Sequence, residues 1–142
     1  MTDRKGFTLI EIIVTLVIIG VLTAIAVNCY TVSIQQAAAN AAQNNLITIY
    51  GAQRNYYFTN GSYCTAAGSC DTLANLNTNL KLNITDSNYT YACCTDASGF
   101  LCQASNGTTT CAAMSGNTQW KMTYTPIVPL TNPKCTGTYC PT

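Results

Sequence analysis

The fold is decided by the stretch Gly6-Phe7-Thr8-Leu9-Ile10-Glu11-Ile12-Ile13-Val14, whose apolar character continues to Val27. Between Phe7 and Val27 the only charged side chain is Glu11. A helix over residues 7–27 is about 32 Å long, enough to cross the hydrocarbon core of a bilayer. A carboxylate at that depth costs about 2–3 kcal/mol even on the mildest insertion scale. Glu11 therefore needs a cationic partner, which this segment does not contain.

These residues resemble the N-terminal signature of the type IV pilin superfamily, which includes the subunits of type IV pili and the pseudopilins of type II secretion. The similarity rests on Lys5-Gly6, on Phe7-Thr8-Leu9-Ile10-Glu11 and on the apolar run that contains Gly20. The resemblance implies a prepilin peptidase that cuts after Gly6 on the cytoplasmic face and methylates the new amine of Phe7. It also implies that Glu11 neutralises the N-terminal amine of a neighbouring subunit during filament assembly. Pairing lowers the energetic cost of placing a cation and a carboxylate in lipid. It therefore favours assembly in which neighbouring subunits are in the correct register.

Two other interpretations of the N-terminus compete with this one. A cleaved secretory signal would use Arg4 and Lys5 as its basic region and Ala24-Ile25-Ala26 as its cleavage site. A plain single-pass anchor is the other. Both explain poorly why Glu11 lies inside the apolar segment, and helical character continues past Ala26. In each case the basic residues keep the N-terminus in the cytoplasm.

The resemblance implies an α+β pilin fold, in which a long N-terminal helix packs on a small antiparallel sheet stapled by disulfides. We expect the following parts: a leader over 1–6, a transmembrane or filament-core half of the helix over 7–27, an amphipathic half over 28–58 and a globular head over 59–142. The head would consist of a connector loop over 59–86, a sheet over about 87–125 and a disulfide-closed region over 126–142. Many pilins carry proline where this chain has Asn28, so a helix kink there lacks its usual cause.

Residue spacing predicts the helices of the second part of the chain. An apolar stripe with i+3/i+4 spacing should bury against the sheet, and it contains Ile34, Ala38, Ala42, Leu46, Ile49 and Tyr56. Asn60-Gly61 predicts the helix end, with Gly61 as a left-handed cap. Asp71-Thr72 predicts the start of a short helix with Leu73, Leu76 and Leu80 on one face. The aromatic residues Tyr50, Tyr56, Tyr57 and Phe58 favour core contacts, with stacking between subunits as the alternative.

Alternation with a period of two predicts three strands. The first contains Tyr89, Tyr91 and Cys93, and residues 95–99 should form a turn into a second strand over Phe100–Ala104. The third contains Trp120, Met122 and Tyr124. The four prolines at 126, 129, 133 and 141 predict an irregular tail.

Nine cysteines in a chain of 142 residues indicate an oxidising compartment. Cys29 lies at the end of the apolar run and should stay reduced. The other eight are disulfide candidates: Cys64, Cys70, Cys93, Cys94, Cys102, Cys111, Cys135 and Cys140. We expect the pairs Cys64–Cys70 and Cys135–Cys140, with the remaining four paired among themselves. Cys93 and Cys94 point to opposite faces of a strand and should have different partners.

Composition argues against several function classes. Without residues 1–6 the side chains sum to zero charge, because four basic residues face four acidic ones. A neutral surface argues against nucleic-acid binding. The chain has no histidine and no Cys-x-x-Cys spacing, which argues against nucleophile–histidine pairs and zinc sites. We therefore predict no enzymatic activity, no cofactor and no metal, although a calcium site built from loop carboxylates is a weaker alternative.

The predicted function is that of a structural subunit of a type IV pilus. The resemblance implies three partners: identical subunits in a helical homopolymer, the prepilin peptidase and an inner-membrane assembly platform. The precursor would lie in the inner membrane and the product in an extracellular filament. A type II secretion pseudopilin, which would be periplasmic, or a minor pilin is the alternative within the superfamily. A secreted or membrane-anchored disulfide-rich binding domain is the alternative from another class.

Overall fold

The computed structural model describes residues 6–65, 70–96, 99–111, 118–123, 133–138 and 140, with the backbone alone at 28, 29, 96, 118, 122 and 123. It contains two helices and four strands in the order α1 (Leu9–Asn60), α2 (Leu73–Leu80), β1 (Thr90–Asp96), β2 (Gly99–Ser105), β3 (Thr118–Thr123) and β4 (Lys134–Gly137). The chain divides into two compact units, Met1–Gln35 and Gln36–Thr142. The predicted α+β class, with a long N-terminal helix and a small disulfide-stapled antiparallel sheet, is confirmed.

The first unit contains the N-terminal part of α1, which begins where the Thr8 carbonyl accepts hydrogen bonds from the N–H groups of Glu11 and Ile12 at 3.1 and 3.4 Å. Two threonines bond back to the preceding turn, as their side chains commonly do in helices: Thr15 to the Ile12 carbonyl at 2.9 Å and Thr23 to the Ile19 carbonyl at 2.7 Å. The helix continues through position 28, because asparagine retains the backbone N–H that proline lacks. Residues 1–5 of the predicted leader (1–6) and the side chain of Cys29, which was predicted to stay reduced, lie outside the described part of the chain.

In the second unit the predicted apolar stripe of α1 is largely correct. Ala42, Leu46 and Ile49 are fully buried. Ala38 and Tyr56 are half-buried against the same core. Ile34 was predicted to be buried and is instead 47% exposed, because it belongs to the first unit, where α1 is the only described element.

The four aromatic residues near the end of α1 differ in how far they are buried. Tyr50 is buried, with its ring centroid 5.7 Å from that of Phe100, whereas Phe58 is 80% exposed. Tyr57 stacks on Tyr63 at 4.6 Å. Core contact therefore holds for Tyr50 and fails for Phe58, because the two side chains lie on different faces of the helix.

Both helix boundaries predicted in the head are confirmed. Gly61 follows α1 with φ +73°, and its N–H donates to the Tyr57 carbonyl at 2.8 Å. Thr72 caps α2, and its hydroxyl accepts from the N–H of Asn75 at 3.4 Å. Leu76 and Leu80 bury the inner face of this helix, which lies inside the segment predicted as a connector.

The sheet has the order β1-β2-β3-β4, and every neighbouring pair is antiparallel. β1 extends through Asp96, so the predicted turn begins later than residue 95; residues 97–98 lie outside the described part. Trp120 of β3 pairs with Ala104 on one side and Cys135 on the other. Tyr124 and residues 124–132 are not described.

The prediction of an irregular tail is wrong at β4. This strand contains only four residues between prolines and carries no alternating apolar pattern. Without β4, the backbone N–H and C=O groups along one edge of β3 would be unpaired. Residues 134–137 form a strand because they pair with that edge. Pairing with a neighbouring strand, and not local preference, therefore defines it.

Candidate assembly segment and disulfide-stapled head

Residues Phe7–Val27, here called the assembly segment, expose their apolar side chains throughout. Phe7 is 77% exposed, Leu9 78% and Val27 55%. Such a continuous apolar surface is far larger than the patches of ordinary soluble monomers, so it needs a membrane or a protein surface to cover it. α1 is long and apolar enough to cross a membrane, a property that it shares with secretory signal sequences.

Glu11 is exposed in the first turn of α1, where its carboxylate faces the positive end of the helix dipole. That position stabilises an exposed acid by about 0.3–1 kcal/mol. Transfer of the same carboxylate into hydrocarbon costs about 2–3 kcal/mol or more. The helix dipole therefore offsets only part of the cost of placing Glu11 in hydrocarbon.

Four disulfides hold the head together: Cys64–Cys70, Cys93–Cys102, Cys94–Cys111 and Cys135–Cys140. The first and last close the two short loops that the spacing predicted. Cys93 and Cys102 are directly opposite each other on β1 and β2, whereas Cys94 bonds to Cys111 beyond the end of β2. The adjacent cysteines thus have different partners, as alternation along a strand requires. Each bond restricts the unfolded chain and thereby typically raises the free energy of unfolding by about 2–4 kcal/mol.

A buried amide connects α1 to the first disulfide loop. The Gln53 side chain is fully buried; its Nε2 donates to the Cys64 carbonyl at 2.5 Å, and its Oε1 accepts from the Cys64 N–H at 2.9 Å. The loop continues to β1, because the Cys93 N–H donates to the Cys70 carbonyl at 3.0 Å. Gln53 therefore connects the helix to the sheet edge through the disulfide, and the apolar periodicity gave no signal for it.

A second polar group connects the helix to β1. The Asp86 carboxylate accepts hydrogen bonds from the Tyr91 hydroxyl and from the backbone N–H groups of Asn88 and Tyr89 at 2.8 and 3.2 Å. Asn45 of α1 donates to the Tyr91 hydroxyl at 3.0 Å and to Asp86 at 3.4 Å. Burial, together with the hydrogen bond that the hydroxyl donates to Asp86, raises the pKa of Tyr91 well above its usual range. Asp86 therefore satisfies backbone N–H groups of the bend that precedes β1.

Because the pKa of Tyr91 is raised, the head should lose stability at alkaline pH. Tyr91 ionises more readily in the unfolded chain than in the folded one. The stability that its hydroxyl contributes is therefore fully present below the unfolded pKa of about 10. Above that pH the free energy of unfolding falls by up to about 1.4 kcal/mol per pH unit. We expect the difference in unfolding free energy between the wild type and Tyr91→Phe to shrink from pH 8.5 to pH 11. Urea unfolding followed by Trp120 fluorescence measures it, and a pH-independent difference would contradict the assignment.

Lys81, the residue that follows α2, has an unusual backbone. Among the described residues it alone has a positive φ without being glycine, with φ 54° and ψ 44°. The left-handed region costs a residue with a Cβ about 1–2 kcal/mol. A cation at a helix C-terminus returns about 0.3–1 kcal/mol. Glycine would therefore be tolerated at this position without backbone strain.

Within the described part of the chain, no group of three or more histidine, cysteine, aspartate or glutamate side chains is placed to hold a metal ion. The Asp71 carboxylate instead accepts a hydrogen bond from the side-chain amide of Asn75 at 2.7 Å. Asn45 and Gln53 carried no motif, because their hydrogen-bond partners lie 11 to 46 residues away in the sequence.

Residues 1–27 match the model of the prokaryotic N-terminal methylation motif. No curated protein and no solved structure is similar to the chain. The motif implies processing by prepilin peptidase, and it supports a pilin- or pseudopilin-like exported subunit with a membrane-anchored precursor. The chain thus carries the prepilin signature of type IV pilins and pseudopilins.

Proposed function

We propose that the chain is the structural subunit of a type IV pilus filament. The observation that carries the proposal is a single carboxylate, Glu11, on an otherwise apolar and exposed helix that lies inside the matched motif. After cleavage behind Gly6, the new amine of Phe7 supplies the cation that Glu11 of a neighbouring subunit requires. Helix bundling then removes the apolar surface from lipid and pairs both charges in one step.

The head is suited to the outside of such a filament. Four disulfides stabilise it in an oxidising compartment, and among the described residues none of its buried core belongs to the assembly segment. The proposed partners are identical subunits, the prepilin peptidase and an inner-membrane assembly platform. The proposed route runs from the inner membrane to the cell surface.

A pseudopilin of type II secretion, or a minor pilin, uses the same motif and is the second candidate. Surface fibres composed mainly of this chain favour the major pilin, whereas short periplasmic assemblies favour the pseudopilin. A membrane-anchored binding domain would carry its disulfide-rich head without assembling at all.

Intact-mass measurement of the exported protein tests the processing step. We expect a chain that starts at Phe7, carries one added methyl group and has lost eight hydrogens to four disulfides. The methyl group should map to the N-terminal peptide. A chain starting at Met1 would contradict processing, and a start at Val27 would identify a secretory signal instead.

A further inference from the structure

Two lysines, here called the lysine pair, lie directly opposite each other on the sheet. Lys121 of β3 is the register partner of Lys134 of β4, and both side chains are exposed. Because Trp120 is buried in the core, the residue that follows it lies on the outer face of the sheet. Like charges at directly opposite positions of two antiparallel strands repel each other and destabilise the sheet. On its other side Lys121 faces Gln103 of β2, which carries no charge, so the neighbouring strands do not neutralise the pair.

Protection of the sheet edge explains only one of the two lysines. A lysine on an edge strand discourages the addition of another strand, and β4 is an edge strand of the described sheet. Lys121 belongs to β3, which is an interior strand. The lysine pair also accounts for two of the four cationic side chains that remain once residues 1–6 are removed. Two opposed cations in a chain with so few charges indicate an anionic partner.

The opposite edge of the sheet carries a cavity of complementary charge, which we call the acidic cleft. It has a volume of about 350 Å³ and lies between the start of α2 and β1. Asp71 and Asp86 both line it, and none of the described lining residues is basic. The hydrogen bonds that the two carboxylates accept within the described part of the head come from uncharged groups. Four threonines also line the cleft, and their hydroxyl oxygens can accept hydrogen bonds from an ammonium group.

We propose that the lysine pair of one subunit docks against the acidic cleft of the next subunit. This contact rests on the filament function proposed above. Because the two surfaces lie at opposite edges of one sheet, each subunit contacts a different neighbour at each edge. A head-to-tail contact between unlike surfaces continues indefinitely when it does not close into a ring, and it therefore suits a helical polymer. The mature side chains sum to zero charge, so net repulsion between heads does not oppose the contact.

Zero-length cross-linking of sheared wild-type fibres with a water-soluble carbodiimide tests the contact directly. The reagent joins a lysine amine to a carboxylate as an amide only where the two groups touch, and it takes up the water that is released. We expect the covalent dimer to yield peptides in which Lys121 or Lys134 is joined to Asp71 or Asp86. Fibres whose dimers lack these peptides would overturn the docking and leave the filament function standing. Failure of the wild type to form fibres would contradict the filament function and the docking together.

Charge reversal tests whether the contact contributes to assembly. Lys121→Glu should lower the yield of sheared fibres at least about fivefold, because like charges then meet across the interface, and Asp71→Lys should do the same. Combining the two substitutions exchanges the charges and should return the yield to within about twofold of the wild type. Asp86 is left unchanged because its carboxylate also accepts hydrogen bonds from Tyr91 and Asn45. A double variant that assembles no better than either single variant would overturn the proposal.

The position of Lys121 separates folding from assembly. Lys121→Glu places opposite charges across β3 and β4, so the Tm of this variant in micelles should be no lower than that of the wild type. Lys81→Glu is the matched control, since it changes the net charge equally at an exposed residue that belongs to neither surface. Its fibre yield should stay within about twofold of the wild type. A loss of fibres from Lys81→Glu as large as that from Lys121→Glu would attribute the effect to net charge and overturn the proposal.

Discussion

Replacing Glu11 with valine is expected to abolish filament assembly while leaving leader removal intact. The substitution keeps the assembly segment apolar and the helix continuous, so membrane insertion should persist. It removes the only carboxylate of the assembly segment, and loss of one partner from a buried pair costs about 3–5 kcal/mol. Filament yield should therefore fall about a hundredfold or more. Sheared surface fibres, quantified by immunoblot against total cellular subunit, measure the effect.

Two matched variants separate assembly from processing. Gly6→Val should block cleavage, so that the precursor accumulates and no fibres form. Glu11→Gln keeps the size and polarity of the side chain but not its charge, and it should be cleaved normally and assemble as poorly as Glu11→Val. Normal fibre yield from either Glu11 variant would remove the basis for pairing with the N-terminal amine, whereas an uncleaved Glu11→Val would move the role of Glu11 to processing.

Features set by neighbouring residues could be predicted from the sequence. Gly61 and Thr72 define helix boundaries through one side chain and the adjacent backbone, and both predictions are confirmed. The charge pattern of the assembly segment is equally local, because a single acid in an apolar run is visible without any fold. The Cys64–Cys70 bond closes a loop so short that the spacing indicates the pair.

Features that depend on distant partners could not be predicted. β4 exists because β3 has a free edge, and its own four residues give no periodic signal. Ile34 follows the apolar spacing of α1, yet it is exposed because the second unit begins only at Gln36. The contacts of Asn45 and Gln53 join residues that are 11 to 46 positions apart, so no local pattern identifies them.

Gln53→Ala is expected to produce a large loss of stability, although the side chain is polar and belongs to α1. The side chain is fully buried and satisfies both the N–H and the carbonyl of Cys64. Truncation leaves two backbone groups without these partners, at about 1–3 kcal/mol each, so we expect a loss of about 2–5 kcal/mol. Trp120 is the only tryptophan and is 3% exposed, so its fluorescence during urea unfolding of the processed chain in micelles reports on the head.

The chemistry of the Gln53 contact can be tested separately from its packing. Gln53→Glu preserves the shape, but its carboxylate cannot donate to the Cys64 carbonyl at neutral pH. Protonation restores one donor, so this variant should be strongly destabilised at pH 7 and should recover as the pH falls, relative to the wild type under the same conditions. Gln36→Ala, at an exposed position of the same helix, should change stability by no more than about 0.5 kcal/mol. If Gln53→Glu lost equal stability at every pH, packing alone would explain the site; if Gln53→Ala matched Gln36→Ala, the connection between α1 and the disulfide loop would contribute nothing measurable.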